Sequence, residues 1–362
     1  AGSHGKTTTA ALIAMIVREA RLPGIVLAGS ALPDLGVRST LVQGDRFFVA
    51  ETCEYRRNFL SFSPSIVVVT SVEADHLDYF ADVDDVMDAF AEYAGRLSAG
   101  GELIYCADEP GAGQLAERVA RERPEVRLTA YGESADGEGH IAAITPGNGT
   151  IEFSLPRGDF ALHIPGRHNV LNAAAAVLVA ERLRESGDRT DDASWVAMTR
   201  RAIASFHGTR RRSEIIGEPT GVLIMDDYAH HPTAIRATIA GLREFYPGRR
   251  IILDFMSHTY TRTAALLEEF ARAVSGADAV ILHDIYPSAR EHYTGGVTGE
   301  SLYAATRAHT QAVHYVPAVL DALPLAEELV QRGDIFLTMG AGNNWQLGRA
   351  LAQRLERREH AS

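Results

Sequence analysis

Residues 1–10 hold the residue types that handle phosphate: Gly2, His4, Gly5, Lys6, Thr7 and Thr8 stand together in Ala1-Gly2-Ser3-His4-Gly5-Lys6-Thr7-Thr8-Thr9-Ala10. Glycines let backbone N–H groups close around phosphate oxygens, a lysine ammonium reaches the terminal phosphates, and a threonine hydroxyl can ligate Mg²⁺. The residues that follow, 8–18, are strong helix formers (Ala10, Ala11, Leu12, Ala14, Met15). The loop therefore opens onto a helix N-terminus, where a polyphosphate is electrostatically favoured.

Two further segments carry acids and a histidine behind apolar runs. Glu51-Thr52-Cys53-Glu54 follows the run 46–50, and Glu73-Ala74-Asp75-His76 follows the β-branched run 66–70. Parallel strands place their following loops on one edge of a sheet. Lys6, Thr7, Glu54 and His76 are thus expected around one metal–nucleotide site, since Mg²⁺ takes oxygen ligands from one or two protein groups plus phosphate and water. The plainer alternatives are a solvated loop for Glu51 and Glu54, and a helix cap with acids in the first turn for 73–76.

Later in the chain, Pro165-Gly166-Arg167-His168-Asn169 with Asn172 opens an alanine-rich helix. Asp226-Asp227-Tyr228-Ala229-His230-His231-Pro232 lies between an apolar run and a helix, and His258-Thr259-Tyr260-Thr261-Arg262-Thr263 does the same. Arg262 is a candidate carboxylate clamp. The adjacent His230 and His231 project to different sides, with no third ligand spaced to join them, which argues against zinc.

The elements that must position these groups alternate. Strands are expected at 24–27, 46–50, 66–70, 102–105 and 127–131, with helices between them. The region 140–164 switches to short antiparallel strands around a turn at 146–149, and helices 170–184 and 193–205 close the unit. A second α/β unit follows, with strands at 213–216, 222–225, 250–255, 279–282, 313–316 and 334–338. The fold class expected is α/β: a doubly wound sheet with a small antiparallel addition in residues 1–206, then a Rossmann-like domain in residues 207–362.

Composition narrows the classes. The chain has 362 residues, 46% apolar and 23% charged, with a formal charge of −12. That acidity argues against nucleic acid as the main partner. Two cysteines form no disulfide framework or metal spacing and suit a reducing compartment. No run approaches the ~18 apolar residues of a membrane span. A cytoplasmic protein without membrane insertion is expected.

With these residues laid out, the chain resembles the Mur ligases. The resemblance runs in order through Gly2 to Thr8, Glu51, Glu54, Phe59 and Leu60, residues 73–78, and residues 165–172. It continues through Phe206, Gly208, Arg211 and Arg212, then residues 226–232, residues 258–263, and Asp284-Ile285-Tyr286. It implies an ATP-dependent, Mg²⁺-requiring amide ligation in peptidoglycan synthesis. ATP would convert the lactyl carboxylate of UDP-N-acetylmuramate to an acyl phosphate that the L-alanine amine attacks. A member joining a whole peptide to the sugar, or a nucleotide-binding fragment without catalysis, are the alternatives.

By the same resemblance, Lys6 would hold the β/γ-phosphates, and Thr7 and Glu54 would ligate Mg²⁺. His76 would serve a second Mg²⁺, while His168, Asn169 and Asn172 would lie at the adenine. Asp227, Arg211 and Arg212 would approach the nucleotide; Tyr228, His230, His231 and Arg262 would face the alanine and muramyl side, with closure about residue 206 during turnover. The family more often has Asn where Ser71 stands, an acid and a small polar residue at Cys53 and Tyr55, and Gln-Pro at Met256-Ser257. Family members also carry a UDP-binding N-terminal domain of ~100 residues and a strand before the phosphate loop. On that basis the chain is expected to be the central and C-terminal part of a ligase.

Overall fold

The computed structural model describes residues 1–74, 79–147, 149–185, 190–287 and 295–361. The chain divides into two compact units, Ala1–Thr209 and Arg210–Ser362; the sequence reading set its boundary after residue 206.

In the first unit, α1 (Lys6–Glu19) begins two residues earlier than its composition suggests, because Gly5 takes the left-handed conformation (φ 80°) that starts it. Strands β1 (Gly24–Leu32), β2 (Arg38–Val42) and β3 (Phe47–Ala50) form one sheet in the order β2-β1-β3, with β1 and β3 parallel. β2 was not expected: its residues Arg38, Ser39 and Thr40 carry little apolar signal, and the strand is exposed or half-buried throughout. It returns antiparallel to β1 through a turn at Pro33–Leu35, where Gly36 at φ 70° allows the reversal.

Strands β4 (Ile66–Val69), β5 (Glu102–Cys106) and β6 (Arg127–Tyr131) form a parallel sheet, with α2 (Val83–Ala94) and α3 (Pro110–Glu122) in its connections. The parallel strands of this unit are thus hydrogen-bonded as two groups. On the free side of β4, the Ala1 amine donates to Val68 O at 2.8 Å and Thr70 N–H donates to Ala1 O at 3.2 Å. A cavity of about 450 Å³ lies there, lined by Phe47 and Val49 of β3, Ile66 and Val68 of β4, and Ala10 and Ile13 of α1.

The antiparallel addition is β7 (Ala143–Gly147), β8 (Thr150–Leu155) and β9 (Gly158–Leu162). Pro146 and Gly147, expected in the turn, pair with Ile151 and Thr150 instead. An edge strand tolerates the missing proline N–H. Helices α4 (Arg167–Glu185) and α5 (Asp192–Ala204) both pack on α1. Ala173, Ala174, Ala175 and Ala176 are fully buried, so small side chains let α4 approach α1 closely, and both helices are buried nearly all round.

The second unit has one six-stranded sheet of β10 (Glu214–Gly217), β11 (Leu223–Asp227), β12 (Ile251–Phe255), β13 (Ala279–Leu282), β14 (Val313–Tyr315) and β15 (Ile335–Met339). Their order is β10-β11-β15-β12-β13-β14, parallel except for β10. The helices are α6 (Pro232–Phe245), α7 (Tyr260–Ala265), α8 (Leu267–Val274), α9 (Gly299–Arg307), α10 (Leu323–Leu329) and α11 (Trp345–Ala361). Alternate strand residues feed two cores. Met225, Leu253, Phe255 and Leu337 pack with α6 and α8; Ile224, Ile252, Ile281 and Phe336 pack with α11 and α10. Burial on both faces explains why these strands read as unbroken apolar runs. Among the described residues no helix is long and apolar enough to cross a membrane.

Candidate active site

The phosphate loop is stitched to the segment after β4. Ser3 N–H donates to Ser71 O at 3.0 Å, His4 N–H to Ser71 Oγ at 2.9 Å, and Glu73 N–H to Ser3 Oγ at 2.9 Å. Thr70 Oγ1 donates to His4 O. His4 Nε2 sits 3.3 Å from Glu73 Oε2. Gly2 (φ 141°) and Gly5 (φ 80°) are needed for the path as well as the space: a Cβ at Gly2 would overlap Thr70, and one at Gly5 would overlap the Asn172 amide. Ser71 thus shapes the loop through both its carbonyl and its hydroxyl.

Lys6 and Thr7 open α1, and each meets one carboxylate from the loop after β3. Lys6 Nζ lies 3.1 Å from both Glu54 oxygens, with Glu54 almost wholly buried, and also donates to Gly2 O. Thr7 Oγ1 donates to Glu51 Oε1 at 3.0 Å. Glu54 keeps this aim through a tight turn in which Arg57 N–H donates to Glu54 O and Phe59 N–H to Cys53 O. Arg56 and Arg57 both take positive φ there (53° and 54°). Arg57 anchors the turn on α2 through Asp85 (2.8 Å) and Glu92 (2.7 Å). Burial, then the Glu54 charge, pushes the Cys53 thiol up, away from the reactive thiolate. A hydroxyl and two carboxylates beside an ammonium at a helix N-terminus form a hard-oxygen donor set that fits Mg²⁺ with a polyphosphate.

Thr8 is buried in the first turn of α1. Asn169 and Asn172 are brought to the same place, but their amides are spent inside the protein. Thr9 Oγ1 donates to Asn172 Oδ1 (3.2 Å), Asn172 Nδ2 to Asn169 Oδ1 (3.2 Å), and Asn169 Nδ2 to Pro165 O (2.7 Å). The chain of bonds ties α4 to α1. His168 lies beside them at the start of α4, its ring folded over Gly166. His76 lies outside the described residues.

In the second unit, the site residues gather at the carboxyl ends of β11 and β12. Asp226 accepts from Arg211 Nε at 2.9 Å and from Thr338 Oγ1 at 2.7 Å; burial pushes its carboxyl pKa up, and Arg211 opposes that shift. Asp227 accepts backbone N–H groups from Ser213 (2.7 Å) and Ala229 (2.8 Å), so its carboxylate holds the turn after β11. Arg211 also donates to Gly340 O at 2.7 Å. The Arg211 and Arg212 guanidinium carbons lie 5.1 and 5.2 Å from the centre of the Tyr228 ring.

His230 Nδ1 donates to Tyr228 O at 2.9 Å, which sets the ring tautomer. His231 caps α6. The rings of His230 and His258 are 6.1 Å apart, His258 stacks on Tyr286 at 5.9 Å, and Arg262 Nη1 lies 3.4 Å from His258 Nδ1. His258 and Tyr286 thus join a wall that the sequence had marked only as motif residues; their position after successive parallel strands was the available signal. Glu51 was likewise marked in the sequence as a motif residue but given no role there.

Comparison with known proteins fits this arrangement. The Mur ligase middle domain matches residues 1–180, and the Mur ligase, glutamate ligase domain matches residues 211–342. A UDP-N-acetylmuramate–L-alanine ligase from Treponema pallidum is 46% identical over 97% of this chain and 73% of its own. The chain belongs to the Mur ligases. A second ligase of that name, from Borrelia garinii, is 36% identical over 96% of this chain and 74% of its own.

Solved Mur ligases share the fold. The UDP-N-acetylmuramate-alanine ligase MurC of Thermotoga maritima superposes with TM-score 0.76 at 22% identity, over 99% of this chain and 74% of that one. MurF of the same organism, solved with ADP, gives 0.72 at 19% identity, over 99% of this chain and 79% of that one.

Proposed function

We propose that the protein is an ATP-dependent UDP-N-acetylmuramate–L-alanine ligase acting in the cytoplasm. The observation that carries this reading is the Lys6–Glu54 and Thr7–Glu51 pairing at the start of α1, in a chain 46% identical over nearly its whole length to a ligase of that name. A carboxylate is a poor acyl donor. The lactyl carboxylate oxygen attacks the γ-phosphorus of ATP as the bond to the β-phosphate oxygen breaks, giving an acyl phosphate and ADP. The L-alanine amine then attacks the acyl carbon, loses a proton, and phosphate leaves as the amide forms.

Two anions must meet in the first step, so charge neutralisation and alignment carry the rate. Lys6 supplies an ammonium to the β/γ-phosphates and Gly2, His4, Gly5, Thr7 and Thr8 form the cradle at the α1 N-terminus. Thr7 and Glu54 would hold Mg²⁺. When bound, that ion neutralises phosphate oxygens and orients them for in-line transfer. His76 is assigned to a second Mg²⁺ on the family resemblance. His168 is assigned to the adenine, with Asn169 and Asn172 holding α4 against the loop helix. Arg212 is assigned to phosphate. Arg211 and Asp227 act through the geometry of the turn they hold. Tyr228, His230, His231 and Arg262 are assigned to the alanine and muramyl side, Arg262 as the carboxylate clamp.

The test is phosphate release with each of Mg²⁺, ATP, UDP-N-acetylmuramate and L-alanine omitted in turn, followed by replacement of L-alanine with a free tripeptide as the amine. Release that needs all four supports the reading. Preference for the tripeptide would assign a peptide-joining ligase, and nucleotide binding with no release would assign a non-catalytic role.

A further inference from the structure

The turn that carries His258 and Arg262 beyond β12 is built on a residue in a costly conformation. Thr259 has φ 68° and ψ 138°, on the side of the backbone map that a β-branched side chain rarely enters. Both of its backbone polar groups are held. Its N–H donates to Tyr286 O at 2.9 Å, and its O accepts Thr263 N–H at 3.2 Å and Thr263 Oγ1 at 2.7 Å. Tyr286 N–H donates in turn to Ser257 O at 2.9 Å. Ser257 Oγ and Thr263 Oγ1 are 2.5 Å apart, and both residues are buried.

A hydroxyl has one proton and two lone pairs. The Thr263 proton goes to Thr259 O, so Ser257 is the donor where the two hydroxyls meet. The bonds then run one way, from Ser257 Oγ to Thr263 Oγ1 to Thr259 O. This relay crosses the turn, from the residue before His258 to the residue after Arg262. Within the turn the two site groups come together, with Arg262 Nη1 3.4 Å from His258 Nδ1. Removing both members of a buried hydrogen-bonded pair can be nearly neutral for stability, so stability alone does not account for the relay. We propose that Ser257 and Thr263 are positioning residues for substrate binding: their hydroxyls fix Thr259 at positive φ and so aim Arg262 and His258. Being buried, neither touches substrate itself. The inference rests on the assignment of Arg262 as the clamp on a substrate carboxylate.

The test is steady-state phosphate release with ATP, UDP-N-acetylmuramate and L-alanine each titrated against saturating levels of the other two. Melting temperature is measured alongside. The variants are Thr263→Val, Thr263→Ser, Ser257→Ala and Arg262→Lys. Arg262→Lys identifies the clamped substrate as the one whose KM rises, because a lysine lacks the planar fork. Thr263→Val keeps the shape and removes the hydroxyl. It is expected to raise that same KM and lower the matching kcat/KM by about 10- to 100-fold, the scale of a misplaced contact, with the KM for ATP within about twofold. Ser257→Ala should shift the same KM in the same direction but less, since the Thr263 bond to Thr259 O survives. Thr263→Ser keeps the hydroxyl and should restore the parent values.

Parent KM values in Thr263→Val would overturn the proposal. An equal rise in all three KM values with a fall in melting temperature would mark a merely structural role, and also overturns it. A Thr263→Ser protein as impaired as Thr263→Val does the same. If Arg262→Lys moves neither the UDP-N-acetylmuramate nor the L-alanine KM, the clamp assignment fails and the inference goes with it. Absence of release in the parent would instead remove the ligase reading beneath both. If Thr263→Val does not fold, Ser257→Ala decides: the selective KM rise supports the proposal and parent values overturn it.

Discussion

His283 Nε2 lies 2.6 Å from Asp254 Oδ1, and both side chains are wholly buried. The other ring nitrogen faces Val316 O at 2.7 Å, so both nitrogens meet acceptors and the imidazolium form is favoured. Asn344 Nδ2 closes the group, donating to Asp254 Oδ2 at 2.9 Å and Met339 O at 3.0 Å. Burial alone pushes the His283 pKa down, but the charge and hydrogen bond of Asp254, with smaller help from Val316 O and Asp284, carry it above the ordinary histidine value.

A raised folded-state pKa places the stabilisation below the unfolded value of about 6.5. It is lost as pH climbs through the folded pKa. The parent protein should therefore lose more unfolding free energy between pH 6 and pH 9 than a variant in which both residues are leucine. His283→Ala alone strands a buried charge and should cost about 3–5 kcal/mol, whereas the double leucine variant should be near neutral or more stable. Denaturant titrations at the two pH values check both statements.

Lys6 and Glu54 share one buried ion pair, so either substitution leaves the other group uncompensated. Lys6→Met and Glu54→Gln should each lower phosphate release by about 10²–10³ or more, the scale of losing a charge-stabilising group in a dry site. Steady-state rates within a few-fold of the parent would remove the phosphate-loop assignment.

Gly5 should not tolerate alanine. The new Cβ meets the Asn172 amide at a backbone of φ 80°. Gly5→Ala should weaken ADP binding strongly, and adding Asn172→Ala should restore little, because the backbone conformation stays unfavourable. Asn172→Ala by itself should cost about 1–3 kcal/mol by removing the partner of the Thr9 hydroxyl and of Asn169 Oδ1. Calorimetry with thermal melts separates the two effects.

Arg211 touches Asp226, Gly340 O and the Tyr228 ring at once. A lysine offers neither the planar fork nor the same stacking face. Arg211→Lys should destabilise the second unit and lower turnover, and Asp227→Ala, which frees two backbone N–H groups, should do the same. If Asp227→Ala left the melting temperature unchanged and only raised the KM for ATP, Asp227 would be a direct nucleotide contact instead of a holder of the turn.

The sequence by itself determined the pieces that depend on local chemistry. The glycine loop running into α1 follows from glycine dihedrals and helix propensity. The β-branched runs at β4, β11 and β12 follow from strand period and two-sided burial. The site segments follow from the rule that loops after parallel strands share an edge. β2 escaped because an exposed strand of polar residues carries no such period.

Tertiary structure alone decided the pairings. Glu51 and Glu54 stand three residues apart and look equivalent in the sequence, yet one meets Thr7 and the other Lys6. Asp226 and Asp227 are adjacent and point to opposite sides of β11, so one takes an arginine and the other takes backbone amides. Asp254 finds His283 across 29 residues and Asn344 across 90. Local sequence sets dihedrals and period, but a side chain's partner is set by which strand lies next to its own, and that order (β11-β15-β12-β13) is not the order of the chain.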